Sequence, residues 1–183
     1  MIDMTRKNGV QLFLLTVSFS LCTTAFGAFV DLVVVGTYPD ARLEIEDSDV
    51  KCGNDKNCIQ TTKGSELNVD FKLNKACQNN GPEYKLTGMQ FSMIESEPDG
   101  SGGTIKPFGK YPLPAYVTSD FDLNDDGQVI WNGANDNRLT DDKIKLRNRN
   151  ETEFVVYYMI EATHCTNSAD VIYLDPRIEN TGR

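Results

Sequence analysis

The sequence predicts an all-β protein: an antiparallel β-sandwich, immunoglobulin-like in architecture, with about eight to ten short strands and two disulfides. Three observations support this prediction. Apolar and polar residues alternate with a period of two in several short segments, and no segment keeps a 3.6-residue period over three turns. Gly, Pro, Asn and Asp residues separate these segments. An even number of cysteines follows an N-terminal export signal. A small β-barrel is the alternative architecture.

The beginning of the chain is typical of a secretory signal peptide. Arg6 and Lys7 form a basic start, an apolar run too short for a comfortable membrane span follows, and Ala25-Phe26-Gly27 matches the cleavage pattern. We therefore expect residues 1–27 to be removed and residues 28–183 to form a single β-sandwich domain. A retained N-terminal anchor is the alternative. The signal predicts a protein that is secreted, periplasmic or on the cell surface.

Acidic residues outnumber basic ones, 27 against 18, and the net charge is −9. Loss of residues 1–27 makes the charge one unit more negative, because that segment holds two basic residues and one acidic residue. A negative field argues against binding to nucleic acid or to an anionic membrane surface. It suits a protein that meets cations or basic partners outside the cytoplasm.

The predicted strands follow one another with turns between them. They are residues 30–35, 42–46, 67–73, 84–93, 116–117, 121–123, 128–131, 143–147, 153–162 and 171–174. In the fourth of them the parity of the apolar positions changes at Gly88, which requires one extra residue, a β-bulge. Residues 153–162 are apolar on both parities, which is typical of a central strand covered on both faces. Residues 47–64 are predicted as a loop and residues 175–183 as a polar tail.

Four cysteines remain after removal of the signal peptide: Cys52, Cys58, Cys77 and Cys165. In an exported protein an even number indicates two disulfides. Of the three pairings, we favour Cys52–Cys58, which closes a short polar loop, with Cys77–Cys165, which ties distant segments. A zinc site is the alternative, but the Cys52–Cys58 spacing is wider than in a zinc knuckle and the chain has one His.

The segment Ser119–Asn132, SDFDLNDDGQVIWN, is the most informative candidate site. Laid on an EF-hand-type loop, Asp122, Asn124 and Asp126 take positions one, three and five, and the Gln128 carbonyl takes position seven. Calcium is a hard cation, and alternate oxygen-bearing residues in a tight loop converge on it. Calcium is therefore the candidate cofactor of this segment. Position twelve, however, is a glycine, where the loop needs a bidentate carboxylate.

A metal-free β-hairpin is the other interpretation of this segment. Its turn would be Asn124–Gly127, because Asp-Gly is a standard hairpin signal. For calcium to bind the turn Asp120–Gly127, a ligand from elsewhere must complete the coordination shell. The candidates for that ligand are Asp136, Asp141 and Asp142.

Nothing in the sequence indicates an enzyme. The one histidine, His164, stands beside Cys165, and adjacent side chains of a strand face opposite ways. No Gly-x-Ser-x-Gly motif is present, and the carboxylates fall mainly in loops, which single out no glycosidase pair. Four aromatic residues in or near predicted loops could stack on sugars or form a protein interface: Tyr38, Tyr111, Tyr116 and Trp131.

The segment Phe29–Pro39, FVDLVVVGTYP, resembles the mature N-terminus of chaperone–usher fimbrial subunits and fimbrial-like periplasmic proteins. In that family an alternating apolar segment acts as a donor strand that completes the sandwich of the next subunit. The resemblance implies that Val30, Leu32 and Val34 fill pockets of a partner subunit in strand-exchange assembly.

The expected function is that of a secreted or periplasmic, non-enzymatic β-sandwich module that serves cell adhesion or fimbrial-like assembly. The alternative is a calcium-dependent carbohydrate- or protein-binding domain that uses the acidic turn Asp120–Gly127. A small hydrolase is a third, less favoured class.

Overall fold

The computed structural model describes residues 26–37, 39–62, 64, 66–74, 77, 83–98, 104–105, 108–109, 111–131 and 137–181. The elements within these residues are β1 (Phe26–Val35), β2 (Arg42–Ser48), β3 (Lys51–Cys52), β4 (Asp55–Thr62), β5 (Leu67–Leu73), β6 (Tyr84–Ser92), β7 (Glu97–Pro98), β8 (Thr104–Ile105), α1 (Ala115–Phe121), β9 (Arg138–Leu139), β10 (Lys143–Asn148), β11 (Phe154–His164), β12 (Val171–Leu174) and β13 (Arg177–Thr181). The predicted signal peptide lies outside the described residues, except for Phe26 and Gly27, which begin β1.

Two sheets pack face to face. The first sheet has the order β2-β1-β5-β10-β9, and the second has the order β12-β11-β13-β4-β3, with β6 also paired to β11. The buried core between them takes large side chains from both sheets, including Phe71 and Ile144 from the first and Tyr158 and Ile178 from the second. The predicted all-β sandwich is therefore confirmed.

The long strand β11 is the centre of the second sheet, as its apolar character on both parities predicts. Strand β6 runs along one side of β11, and β13 and β12 follow each other along the other side. The predicted bulge in β6 is also present. Glu161 pairs with Gly88 and Ala162 pairs with Leu86, so Thr87 is the extra residue.

The expectation of antiparallel pairing is wrong for two strand pairs. β1 pairs with β5 in parallel, and β4 pairs with β13 in parallel. Parallel neighbours need a long connection between them. The chain between the two strands of each pair includes other strands of the sandwich, so such a connection is available.

The short strand predicted at residues 116–117 is wrong, because α1 occupies this part of the chain. In the strand predicted at residues 121–123, Phe121 ends α1 and Leu123 forms a β bridge with Val129. Pro114 precedes α1 with φ −59°, which suits a helix start. Val117, Asp120 and Phe121 are the buried residues of α1, at the i, i+3 and i+4 positions of one helical face. A helix of seven residues is too short to show a helical period over three turns.

Two segments predicted as irregular contain strands. The predicted loop, residues 47–64, holds β3 and β4, and the predicted tail holds β13, which lies between β11 and β4. In β13 the inward positions are Ile178 and Asn180. Asn180 Oδ1 accepts hydrogen bonds from Thr61 Oγ1 at 2.5 Å and from Asn148 Nδ2 at 2.9 Å. Because these bonds satisfy a buried polar side chain, a strand with one apolar residue on its inner face fits the sandwich.

Both favoured disulfides are confirmed. Cys52–Cys58 joins β3 to β4, and Cys77–Cys165 ties the segment before β6 to the end of β11. Paired cysteines are typical of proteins that fold in an oxidising compartment. Within the described ranges, no helix has both the length and the apolar character that a membrane crossing requires.

Candidate functional site

The acidic segment forms the predicted tight turn, although α1 rather than a strand leads into it. Leu123 and Val129 pair across the turn. The Asn124 N–H bonds the Gln128 carbonyl at 2.9 Å, and the Gly127 N–H bonds the Asn124 carbonyl at 3.0 Å. The backbone of the turn is therefore closed by its own hydrogen bonds.

The side chain of Asn124 holds this turn from within. Its Oδ1 accepts the backbone N–H groups of Asp126 at 3.0 Å and Gln128 at 2.8 Å, and its Nδ2 donates to Gln128 Oε1 at 3.2 Å. These are the bonds of an Asx turn. The oxygen assigned to calcium at position three thus already accepts two hydrogen bonds.

The first two carboxylates of the segment have partners on the chain that follows β10. Asp122 Oδ1 lies 2.7 Å from Arg149 Nη2, and the same guanidinium donates to the Ser119 carbonyl. Asp120 is buried and accepts the N–H groups of Glu151 and Thr152 at 3.3 and 3.4 Å. Burial raises the pKa of the Asp120 carboxyl, and the two N–H groups partly oppose this rise.

The extra calcium ligands expected from elsewhere have other contacts. Asp142 Oδ1 accepts the Thr140 hydroxyl at 2.8 Å. Asp141 is exposed, and its backbone carbonyl accepts the Leu86 N–H at 2.9 Å. Asp136 lies outside the described residues.

Among the described residues, one group of three His, Cys, Asp or Glu side chains has its ligand atoms within 4.8 Å of one another. The group is Cys52, Cys58 and Glu179, and both of its sulfurs are in the disulfide. Asp122, Asn124, Asp126 and Gln128 do share the turn. Calcium binding by this turn stays a prediction.

The turn is pressed against β6 at Gly127. The Gly127 carbonyl accepts the Phe91 N–H at 2.8 Å, and its φ is +72°. A Cβ at this position would lie 2.9 Å from Leu113 Cδ1 and 3.0 Å from the Phe91 carbonyl oxygen. Glycine is therefore required at position 127 both by the left-handed backbone and by the close approach of the turn to β6 and Leu113. Gln90 adds a second link, because its Nε2 donates to the Asp126 carbonyl at 2.8 Å.

Residues 128–131, which follow the turn, form an arm beside the second sheet. A groove of about 250 Å³ opens where this arm meets β6 and β11. Its lining residues come from three separate segments of the chain. They are Thr87, Gly88, Met89, Gln90, Gln128, Val129, Trp131, Met159 and Glu161. Sequence reasoning singled out Trp131 as an aromatic residue near a loop but missed the groove, because no local pattern shows that these three segments meet.

The bulge in β6 shapes this groove. Gly88 stands opposite Glu161 and contributes no side chain, and a Cβ built on Gly88 would meet nothing within 4 Å. The extra residue of the bulge, Thr87, donates its hydroxyl to Glu161 Oε1 at 2.7 Å and lies 3.0 Å from Thr163 Oγ1. The carboxylate is thus oriented by the Thr87 hydroxyl, and Glu161 is the charged residue among those that line the groove.

The residues predicted to enter a partner subunit lie in the chain's own core. Val30 and Leu32 are fully buried, and Val34 is half-buried against the same core. Their strand, β1, is hydrogen-bonded to β2 on one edge and to β5 on the other. Strand exchange through β1 would require these two pairings to open.

The remaining sequence motifs have structural partners. Cys165 is in a disulfide, and His164 Nε2 lies 2.5 Å from Glu83 Oε2, so the neighbouring residues form no dyad. Asn150 begins a glycosylation sequon, yet it is 1 % exposed and its Oδ1 lies 2.8 Å from Thr61 Oγ1. A glycan cannot be attached to this side chain in the folded protein.

No protein-family model and no curated protein sequence matches the chain. Among solved structures, a multi-copper oxidase from Pediococcus acidilactici is similar with a TM-score of 0.32 and 12 % identity, over 98 % of this chain and 32 % of that one. The McoA multicopper oxidase from the hyperthermophile Aquifex aeolicus is similar with a TM-score of 0.30 and 15 % identity, over 85 % of this chain and 29 % of that one. The chain thus spans about a third of the length of either oxidase, and a likeness this small carries no conclusion about activity.

Proposed function

We propose that this protein is a non-enzymatic binding module that works outside the cytoplasm and holds a carbohydrate in the groove beside the acidic turn. The observation that supports the proposal is the lining of the groove, which combines the Trp131 side chain with amide, hydroxyl and carboxylate groups. The C–H face of a sugar ring packs on an aromatic ring, while sugar hydroxyls bond amides and carboxylates. The volume suits one sugar unit of a chain.

The extracytoplasmic location rests on the two disulfides and on the predicted signal peptide. Adhesion through a surface carbohydrate is the biological role that fits such a module. Assembly by strand exchange is the second role expected from the sequence, but it requires β1 to leave its place between β2 and β5. The groove needs no such rearrangement, and we therefore prefer it as the site.

Calcium enters the proposal as a cofactor of the same site. Gln90 of β6 links the turn to the groove, because it lines the groove and donates a hydrogen bond to the Asp126 carbonyl. A cation held by the turn would therefore stabilise the arm that carries Gln128 and Trp131.

Trp131 is the single tryptophan of the chain, so intrinsic tryptophan fluorescence reports on the groove directly. We expect a saturable change in this fluorescence when the mature protein is titrated with a panel of oligosaccharides. Replacement Gly88→Leu should abolish the change, because a Cβ at this position meets nothing within 4 Å and the rest of the new side chain would occupy the groove. Lys85→Leu, on the same strand outside the groove, is the matched control and should bind normally.

Two results would overturn the proposal. The first is a panel in which no oligosaccharide binds. The second is a Gly88→Leu variant that binds as tightly as the unmodified protein while keeping its melting temperature. Circular dichroism of both variants verifies that the fold is intact.

A further inference from the structure

Glu161 is a carboxylate without a basic partner in the described part of the chain. Its carboxylate accepts the hydroxyl of Thr87, and the opposite position on β6 is Gly88, which has no side chain. On the other side of β11, Tyr173 pairs with Glu161. Burial, followed by the negative charges of Glu161 and Asp175, raises the pKa of the Tyr173 hydroxyl. Glu161 and Asp175 are thus the two charged groups that act on Tyr173, and both are negative.

The other polar groups of the groove add no net charge. Gln90 uses its amino group on the Asp126 carbonyl, so its Oε1 remains as an acceptor. Gln128 uses its Oε1 on Asn124 Nδ2, so its amino group remains as a donor. Both amide side chains are neutral, so the negative charge of the groove comes from the carboxylate of Glu161.

We infer that the ligand of this groove carries a protonated amine, which binds between the Glu161 carboxylate and the Trp131 ring. The inference rests on the proposed carbohydrate-binding function, and within it the ligand is an amino sugar with a free amine.

Two physical arguments favour the cation. A neutral sugar can offer the Glu161 carboxylate only hydroxyl donors in place of water, whereas an ammonium group forms a hydrogen bond in which both partners are charged, and such bonds are the stronger ones. The face of an indole ring also attracts cations. The net charge of −9 further favours the approach of a cationic ligand.

The test is made in mildly acidic buffer, where the amines of glucosamine are protonated. It compares oligomers of glucosamine with N-acetylglucosamine oligomers of the same length, which are neutral. Isothermal titration calorimetry should show that the charged oligomer binds about tenfold more tightly. Added salt should reduce this preference. Glu161→Gln should abolish the preference, because it keeps the shape of the side chain and the Thr87 contact but removes the charge.

Glu95→Gln is the charge-matched control, since Glu95 is exposed and outside the lining of the groove. It should keep the full preference for the charged oligomer. Equal binding of the two oligomers would overturn the inference and leave the carbohydrate proposal standing. A preference that survives Glu161→Gln would also overturn it. Failure of both oligomers, together with all other sugars of the panel, would overturn the carbohydrate proposal and the inference with it.

Discussion

Arg149 Nη2 lies 2.7 Å from Asp122 Oδ1, and this ion pair engages the first carboxylate that calcium would need at the acidic turn. Both side chains are about a quarter exposed, at 26 % and 24 %. A pair of that exposure contributes on the order of 0–1 kcal/mol. Calcium and Arg149 therefore compete for the Asp122 carboxylate, and breaking the ion pair would cost calcium binding little free energy.

We expect Arg149→Met to increase the stabilisation that calcium gives, because Asp122 then has no competing guanidinium. The measurement is the shift in melting temperature between calcium and chelator, for the variant and for the unmodified protein. Arg138→Met removes an exposed arginine at β9 and serves as the control. If calcium shifts neither the unmodified protein nor the Arg149 variant, this turn is not a calcium site.

The carboxyl of Asp120 should make stability depend on pH. Its pKa is raised above the ordinary 3.8, mainly because burial disfavours the charged form. The folded chain thus binds this proton more tightly than the unfolded chain, and the stabilising contribution is complete below pH 3.8 and lost as the pH rises through the raised pKa.

Asp120→Asn removes this titration. The free energy of unfolding of the unmodified protein, minus that of the variant, should therefore fall as the pH rises from below 3.8 towards neutrality. Urea denaturation over that range measures the difference. Asp125→Asn, at an exposed position of the turn, is the control for the loss of a carboxylate. A difference that grows with pH contradicts the assignment.

Tyr158 and Tyr84 offer a matched test of buried hydroxyl groups. The Tyr158 hydroxyl is buried and has no hydrogen-bond partner among the described residues, whereas the Tyr84 hydroxyl donates to Asp170 Oδ2 at 2.8 Å. Tyr158→Phe should therefore leave the free energy of unfolding unchanged or raise it, since it removes an unsatisfied group. Tyr84→Phe should lower it by about 1.5–3 kcal/mol, because the lost bond goes to a carboxylate. Equal losses in chemical denaturation would indicate that Tyr158 has an internal partner such as a buried water.

The two disulfides should stabilise the fold unequally. Cys77–Cys165 closes a loop with a sequence separation of 88, and Cys52–Cys58 one of 6. The loop-entropy relation gives about 4.6 kcal/mol for the first and about 2.2 kcal/mol for the second. Double replacement by Ala at each pair, followed by urea denaturation, should show the larger loss for Cys77 and Cys165. Comparison of each variant with the unmodified protein, both in reductant, isolates the packing cost of the lost sulfurs. A larger loss of stability for the Cys52 and Cys58 variant would contradict the prediction.

The elements that the sequence predicts well are those whose signal is local. Strand β5 begins and ends where the alternation of Leu67–Leu73 begins and ends, and the parity change at Gly88 predicts the bulge in β6. The direction of pairing is not local. Alternation shows which side chains of β1 face the core, but it contains no information on whether β5 runs with it or against it.

The candidate site shows the same division. The turn at Asn124–Gly127 was predictable because its residue types favour one backbone conformation. The groove was not, because Thr87 and Glu161 lie far apart in sequence and meet only through the pairing of β6 with β11. Strand β13 was missed for a related reason. From the sequence Asn180 indicates an exposed position, but the fold buries it and brings Thr61 and Asn148 into hydrogen-bond contact with it.

The position of β13 has a consequence for the order in which the chain can fold during synthesis. β13 is the last strand in the described chain, yet it lies inside the second sheet, between β11 and β4. Until Arg177–Thr181 have emerged, β4 lacks its parallel neighbour and the first half of β11 has one edge open. A nascent chain or a truncated product that ends before Arg177 would expose these edges to other chains. Completion of the second sheet therefore waits for the five residues of β13.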